Sequence, residues 1–422
     1  MNEIVPPSAT SKAEPAPARP VPNATLAIHG GEKVRKTPMP PRLALGETER
    51  KMVLDVLDYY RERDIDPGYE GHFENMYCRA FADMMGGGYV DAVATGTSSL
   101  YIAVAALDLP KGSEVLVSPI TDPGSLAAIV LNGLKARLMD SKPGSYNVGP
   151  EQFAARIGPN VSAVMVVHAA GQAAEIDKIV EIAHARGIKV IEDCAQAHGA
   201  LLRAKRVGSF GDIAAFSTMY RKAHMTGPSG GVVFTKDLEL HHRAVAHADR
   251  GKPRWREDFS DRDPSNYLFP ALNHNTDEIS CAIGLASLAR LRSTIIGRLA
   301  FVSDFVAKLV DASEVCTPYP FSPTDSPFFY PVMVDCDSIS CSKIEFAEAV
   351  RAEGIDLNPH YRFVVSDWPY IRPYLADQFD APNAHDVCNR SFNLYLNERY
   401  GEREARDAVK AIVKVEKHFA KH

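Results

Sequence analysis

Five short apolar runs recur within little more than a hundred residues: EVLVSPI (114–120), AVMVVHAA (163–170), KVIEDC (189–194), IAAFST (213–218) and GVVFT (231–235). Their apolar residues are consecutive rather than alternate, so both faces of each strand need cover. The stretch from Ile176 to Arg186, between two of the runs, carries a helical pattern. Strands of this kind separated by helices predict an α/β fold, a mostly parallel sheet covered by helices on two sides.

The rest of the chain is organised around that block. Met1 to Asn23 holds six prolines and four alanines, which block regular hydrogen bonding and offer little to pack, so residues 1–24 read as a flexible tail. A helix follows Gly46, with Met52, Val53, Val56, Leu57 and Tyr60 at helical spacing. A second runs from Glu74 to Met85 and stops at three glycines. Residues 249–266, rich in Asp, Arg and Pro, read as a long loop. A long helical pattern then runs from Asp277 past Leu291. The last third holds a strand (FFYPVMVD, 328–335), a helix (343–354) and a charged terminal helix, as a smaller α+β domain would. The expected division is 25–250, a linking segment 251–298, and 299–422.

Composition narrows the function. The 422 residues are 45% hydrophobic and 24% charged, and 47 basic against 53 acidic residues leave a net charge of −6. A coat for nucleic acid or anionic lipid needs a basic excess, so neither is expected as a partner. Seven scattered cysteines without a CxxC argue for a reducing compartment, the cytoplasm, over a disulfide framework or zinc site. No apolar stretch approaches the ~20 residues that span a bilayer.

In open parallel sheets, ligands bind beyond the carboxyl ends of the strands. Three features fall there. Thr95-Gly96-Thr97-Ser98-Ser99 opens a helix after a short apolar run, which suits either a plain helix cap or a phosphate. Asp193 ends an apolar strand, where a carboxylate needs a cationic partner. Lys222 lies in a loop between the strand ending near Ser217 and glycines 227, 230 and 231. A phosphate site, a buried acid and a lysine fit pyridoxal 5′-phosphate, which needs a lysine for a Schiff base, an acid for its ring nitrogen and a phosphate cup.

Several segments together resemble the DegT/DnrJ/EryC1/StrS group of pyridoxal-phosphate enzymes, largely sugar aminotransferases of the aspartate-aminotransferase fold (fold type I). They are ATGTSSL (94–100), VVHAAGQAAEIDKI (166–179), VIEDCAQAHGA (190–200), VGSFGDIAAFS (207–217), Lys222 with its glycines, and LNHNTDEISCAIGLASLARL (272–291). The resemblance implies a seven-stranded sheet and a ping-pong reaction that carries an amino group from glutamate or glutamine, through the pyridoxamine form, to a keto-sugar that is commonly nucleotide-linked. It implies that Lys222 bonds the cofactor and shuttles the proton. Asp193 would pair with the ring nitrogen, and Gln196 would approach the phenolic oxygen side. Thr97, Ser98 and Ser217 would hold the phosphate. Asn273 would reach it from a second subunit, which makes 251–298 part of a dimer interface and the protein a homodimer with shared sites.

Three positions depart from the family pattern. Asp122 stands where an aromatic ring usually covers the cofactor, Pro228-Ser229 replaces an acid-glycine pair, and Asn275 replaces an arginine. Relatives that dehydrate have histidine at the lysine position, so Lys222 favours transamination over a sugar dehydratase. Asp122 and Asn275 leave a non-catalytic binding homologue as a further alternative. Asp122, Tyr220, Arg221, His360 and Tyr361 are candidates for the substrate side. His168 reads as support for its strand end or as pocket lining, and His224 as a loop residue rather than a replacement base. His241, His242 and His247 lack a completing carboxylate or cysteine, so they read as a solvated helix face and no metal site is expected.

Overall fold

The computed structural model describes residues 25–421, so the expected tail, 1–24, lies outside the described residues. The five apolar runs form strands, and two more complete a seven-stranded sheet. In chain order they are β1 (Tyr89–Val93), β2 (Glu114–Val117), β3 (Lys135–Leu138), β4 (Val161–Val167), β5 (Lys189–Asp193), β6 (Ile213–Ser217) and β7 (Gly231–Thr235). Across the sheet the order is β1-β7-β6-β5-β4-β2-β3, with β7 alone running antiparallel to its neighbours. The fold is α/β with a mostly parallel sheet.

The consecutive apolar residues face opposite layers. Val115 and Val117 of β2 pack with α3 (Gly96–Ala106) and α4 (Pro123–Leu131), whereas Leu116 joins Val164 and Val190 under the opposite layer. The runs had predicted the five central strands. They did not predict β3, and gave only a hint of β1, because these are the sheet's two edges. An edge strand tolerates polar residues, and β3 (Lys-Ala-Arg-Leu) alternates accordingly.

Helices α1 (Glu47–Glu62) and α2 (His72–Met85) follow the expected pattern, and α2 ends at Gly86, whose φ is +84°. The long helical pattern after Asp277 is two helices bent by 54°: Glu278–Ala289 and Leu291–Ala312. No single helix among the described residues is long and apolar enough to cross a membrane. A second, antiparallel sheet of four strands gathers Cys316–Pro318, Phe329–Val334, Leu357–Asn358 and Ser391–Tyr395. It has its own core, with Phe305, Phe346, Phe392 and Ile412 buried between this sheet and its helices.

One buried carboxylate locks the N-terminal helices to the rest. Glu278 accepts from Tyr60 Oη (2.6 Å) and from the backbone N–H groups of Phe73 (3.0 Å) and Glu74 (2.8 Å) at the start of α2. Gly71 permits that approach, since a Cβ there would lie 2.5 Å from Glu278 Cδ. Glu278→Ala should orphan two buried N–H groups at about 1–3 kcal/mol each. A calorimetric scan should show a clear fall in Tm, and a smaller one for Glu278→Gln.

Candidate active site

β1, β5 and β6 end around one cavity of about 270 Å³. Its walls include Thr97, Asp122, Asp193, Ser217 and Lys222. Residues separated by more than a hundred positions in the sequence therefore converge beyond the carboxyl edge of the sheet.

At one end is the N-terminus of α3. Thr95 caps it, accepting from Ser98 N–H at 2.8 Å and donating to Ser98 Oγ at 2.8 Å. The cap reading of this segment is met. Thr95 and Ser98 form the cap, while Gly96 and Thr97 keep free N–H groups that point out of the helix start. Ser98 is buried and does not line the cavity. Gly96 must be small: a Cβ there would lie 2.4 Å from Ser217 Cβ. Gly231 behaves likewise, with a Cβ 2.3 Å from Thr95 O.

Asp193 is 3% exposed. Its carboxylate accepts from Ala195 N–H at 3.0 Å and from Ser125 Oγ at 3.0 Å. The cationic partner expected from sequence is not in contact. No cationic side chain among the described residues pairs with Asp193, and the charge of Lys222 acts only through space. Burial raises its pKa, with the two hydrogen bonds and Lys222 opposing and Asp122 adding to the rise. The site therefore presents a desolvated acceptor with room for a cationic N–H.

Lys222 is half-buried, and its Nζ lies 4.4 Å from the centre of the Phe328 ring. Burial lowers its pKa to about 8, against the opposing charges of Asp193 and Asp122. Phe328 arrives through a tight junction. Its N–H donates to Ala170 O at 2.9 Å, and Ala170 holds a left-handed φ of +60°. A Cβ on the neighbouring Gly171 would fall 1.9 Å from Ser326 O.

The departures from the family pattern acquire local reasons. Asp122 is the N-cap of α4, accepting from Gly124 N–H at 2.9 Å, with Pro123 at the first helical position. It is nonetheless exposed toward the cavity. Ser229 donates to Ala94 O at 2.8 Å, tying the lysine loop to the end of β1. Asn275 donates to Asn273 Oδ1 at 2.9 Å, and Asn273 donates to Tyr69 Oη at 3.1 Å. Asn273 is exposed and does not line its own chain's cavity.

The remaining candidates divide. Gln196 accepts from Ala170 N–H at 2.8 Å and lies 3.5 Å from Tyr361 Oη, so these two meet beside the site. His360 faces away to Lys343, whose ammonium donates to it at 3.1 Å. Tyr220 and Arg221 are exposed. His168 is buried and accepts from Ala174 N–H (3.1 Å), with Glu192 at 3.1 Å from its other nitrogen. His224 is buried against Tyr77 Oη at 2.7 Å, and burial lowers its pKa to about 3. The three helix histidines are not a solvated face. His241 stacks on Tyr89, His242 on Trp255, and His247 packs on Phe269. Aromatic neighbours from other segments cover that side, which periodicity within one helix does not reveal.

Sequence reasoning missed Ser125, Phe328 and Arg42. Ser125 stood three residues after an Asp-Pro cap signal, which placed it in the first turn beside Asp193. Phe328 gave no signal for this role. Arg42 gave none either, because its partners are backbone carbonyls of residues 220, 222 and 223.

A lysine and a buried acid, unpaired among the described residues, at the carboxyl edge of a mostly parallel sheet define the class of site. The chain belongs to the DegT/DnrJ/EryC1/StrS aminotransferase family, whose model matches residues 52–413. A dTDP-3-amino-3,6-dideoxy-alpha-D-galactopyranose transaminase of Aneurinibacillus thermoaerophilus is 37% identical over 49% of this chain and 54% of its own length. A GDP-perosamine synthase of Caulobacter vibrioides is 30% identical over 75% of this chain and 82% of its own. Among curated relatives the matched segment spans as little as 35% of the relative's length. The solved aminotransferase from Psychrobacter cryohalolentis superposes with a TM-score of 0.81 at 25% identity, over 89% of this chain and 98% of that one.

The Lys222 amine reacts only when neutral. Its acylation, followed by peptide mass spectrometry across pH, should be half-maximal near pH 8 and not near the ordinary 10.5. In Asp193→Asn, which removes an opposing negative charge, the midpoint should move lower still.

Proposed function

We propose that the protein is a pyridoxal-phosphate aminotransferase that transfers an amino group from glutamate or glutamine to a nucleotide-linked keto-sugar in amino-sugar biosynthesis. The observation that carries this reading is that Asp193 and Lys222 line one small cavity without touching. One is a desolvated carboxylate with no cation in contact among the described residues, and the other an amine lowered to about 8. The names of two relatives, a dTDP-3-amino-3,6-dideoxy-alpha-D-galactopyranose transaminase and a GDP-perosamine synthase, support the substrate class.

The residues present fit the cofactor. When bound, pyridoxal phosphate supplies an aldehyde for amine exchange and an electron-withdrawing ring. The free N–H groups of Gly96 and Thr97, with the Ser217 hydroxyl, would hold its phosphate. Asp193 would accept the proton-bearing ring nitrogen and keep its charge in place. Lys222 Nζ, neutral in part at physiological pH, would take up and return a proton, as a base tuned near the working pH does. Phe328 limits water at that nitrogen. Gln196 and Tyr361 would orient substrate at one side, and the Asp122 carboxylate would accept from hydroxyl or ammonium groups at the mouth.

Residues 25–250 are read as the cofactor-binding domain, 299–422 as a smaller domain, and 251–298 as the link at a homodimer interface in a cytoplasmic enzyme. Two features support the dimer. Asn273 is exposed away from its own cavity, and exposed Leu57, Tyr69 and Ile279 edge a neighbouring hollow of about 450 Å³.

Adding pyridoxal phosphate should give wild-type protein a visible absorption band that glutamate bleaches, and Lys222→Ala should show neither. A colourless wild type would refute the reading. Asp193→Ala should lower kcat by about 100-fold or more.

A further inference from the structure

The loop that carries Lys222 has an unusual attachment. Its residues 220–223 belong to no helix or strand, and Tyr220 and Arg221 are exposed. Two internal bonds close the turn, Lys222 N–H to Met219 O at 2.9 Å and Arg221 N–H to Met219 Sδ at 3.1 Å. The outward carbonyls are gathered by a single side chain. Arg42 Nη1 donates to Tyr220 O at 2.8 Å and also to Lys222 O, and Nη2 donates to Ala223 O at 3.0 Å. Among the described residues no other group donates to these three carbonyls. Arg42 is itself held from behind, its Nε donating to Glu398 Oε1 at 3.1 Å.

We infer that Arg42 is a positioning residue for Lys222, fixing the lysine's backbone through the carbonyls on either side of it. Its bearing on catalysis rests on the aminotransferase reading above, whereas its effect on the lysine does not.

The chemistry of the contact demands a guanidinium. Three carbonyls and a carboxylate lie around one group, and a planar fork of five donors can serve them together, while an ammonium is a single point. The side chain of Arg42 is 14% exposed, and its bonds to Lys222 O and Ala223 O are partly shielded from competing water, whereas that to Tyr220 O is exposed. Without them three carbonyls need new donors, and beside the exposed residues 220 and 221 the nearest is water. Loop relaxation toward water would carry Lys222 with it and undo the desolvation that lowers its pKa. Charge alone does not account for the link, because the influences on Lys222 are burial, Asp193 and Asp122.

The test compares wild type, Arg42→Met, Arg42→Lys and Arg399→Met. Arg399 donates to Pro41 O at 2.9 Å, so its variant loosens the same N-terminal segment without touching the lysine loop. The first measurement is the pH profile of Lys222 acylation in protein without added cofactor. In Arg42→Met the midpoint should rise from about 8 toward 10.5, which lowers the acylation rate at pH 8 by up to about 100-fold. Arg42→Lys, which keeps one donor group, should fall between, and Arg399→Met should match wild type. With pyridoxal phosphate and substrates, Arg42→Met should lose kcat more than it raises KM. A wild-type acylation profile in Arg42→Met overturns the inference, as does an equal shift in Arg399→Met. A wild type that binds no pyridoxal phosphate would end the aminotransferase reading alone, since the acylation profile needs no cofactor.

Discussion

The structure of the site depends on one buried carboxylate that has no counter-ion among the described residues. Asp193 is removed from water at the end of β5, and the two donors that reach it, Ala195 N–H and the Ser125 hydroxyl, are neutral. Neutral hydrogen bonds offset only part of the desolvation, and the pKa stays raised. Such a group is an expensive way to end a strand, unless something cationic is meant to sit against it. Lys222 is not that partner at contact distance, and its own burial disfavours its charge. The two groups leave a cavity whose field favours a cationic N–H near Asp193 and a neutral amine at Lys222.

Asp122 shows how one substitution can be structural and chemical together. As N-cap of α4 it sets the first turn of that helix, and the first turn carries Ser125 to Asp193. The side chain also brings a second negative charge to the cavity. That charge raises the pKa of Asp193 and opposes the lowering of Lys222. An aromatic ring at this position would supply stacking but neither the cap nor the charge.

Much of this was legible in the sequence, for a physical reason. Strands buried on both faces must be apolar at every position, so the five central runs stood out, and the polar residues at their ends marked the site. Thr97, Asp122, Asp193, Ser217 and Lys222 do meet. What was obscured depended on neighbours from distant segments. Edge strand β3 reads as polar because solvent reaches it. The bend at Arg290 leaves the helical period on either side intact, so two helices read as one. Histidines 241, 242 and 247 look solvated until the rings that cover them are placed.

Arg42 belongs to the same category for a deeper reason. A backbone carbonyl is identical at every position, so no residue in 220–223 announces that an arginine some 180 positions away will bind it. The network continues past Arg42. Glu398 also accepts from Arg298, which is 1% exposed and donates to Pro327 O at 3.1 Å, next to Phe328. Lys222 is thereby framed from two directions by one Arg298–Glu398–Arg42 chain: Phe328 beside its Nζ, and Arg42 on its backbone. Burial lowers Arg298's pKa to about 10, yet leaves it a cation at neutral pH, so Glu398 stays ionised between two arginines. The C-terminal third of the chain therefore does more than cover the cavity. Through Glu398 and residues 326–328 it sets the geometry of a lysine that the first sheet alone would leave on an exposed loop.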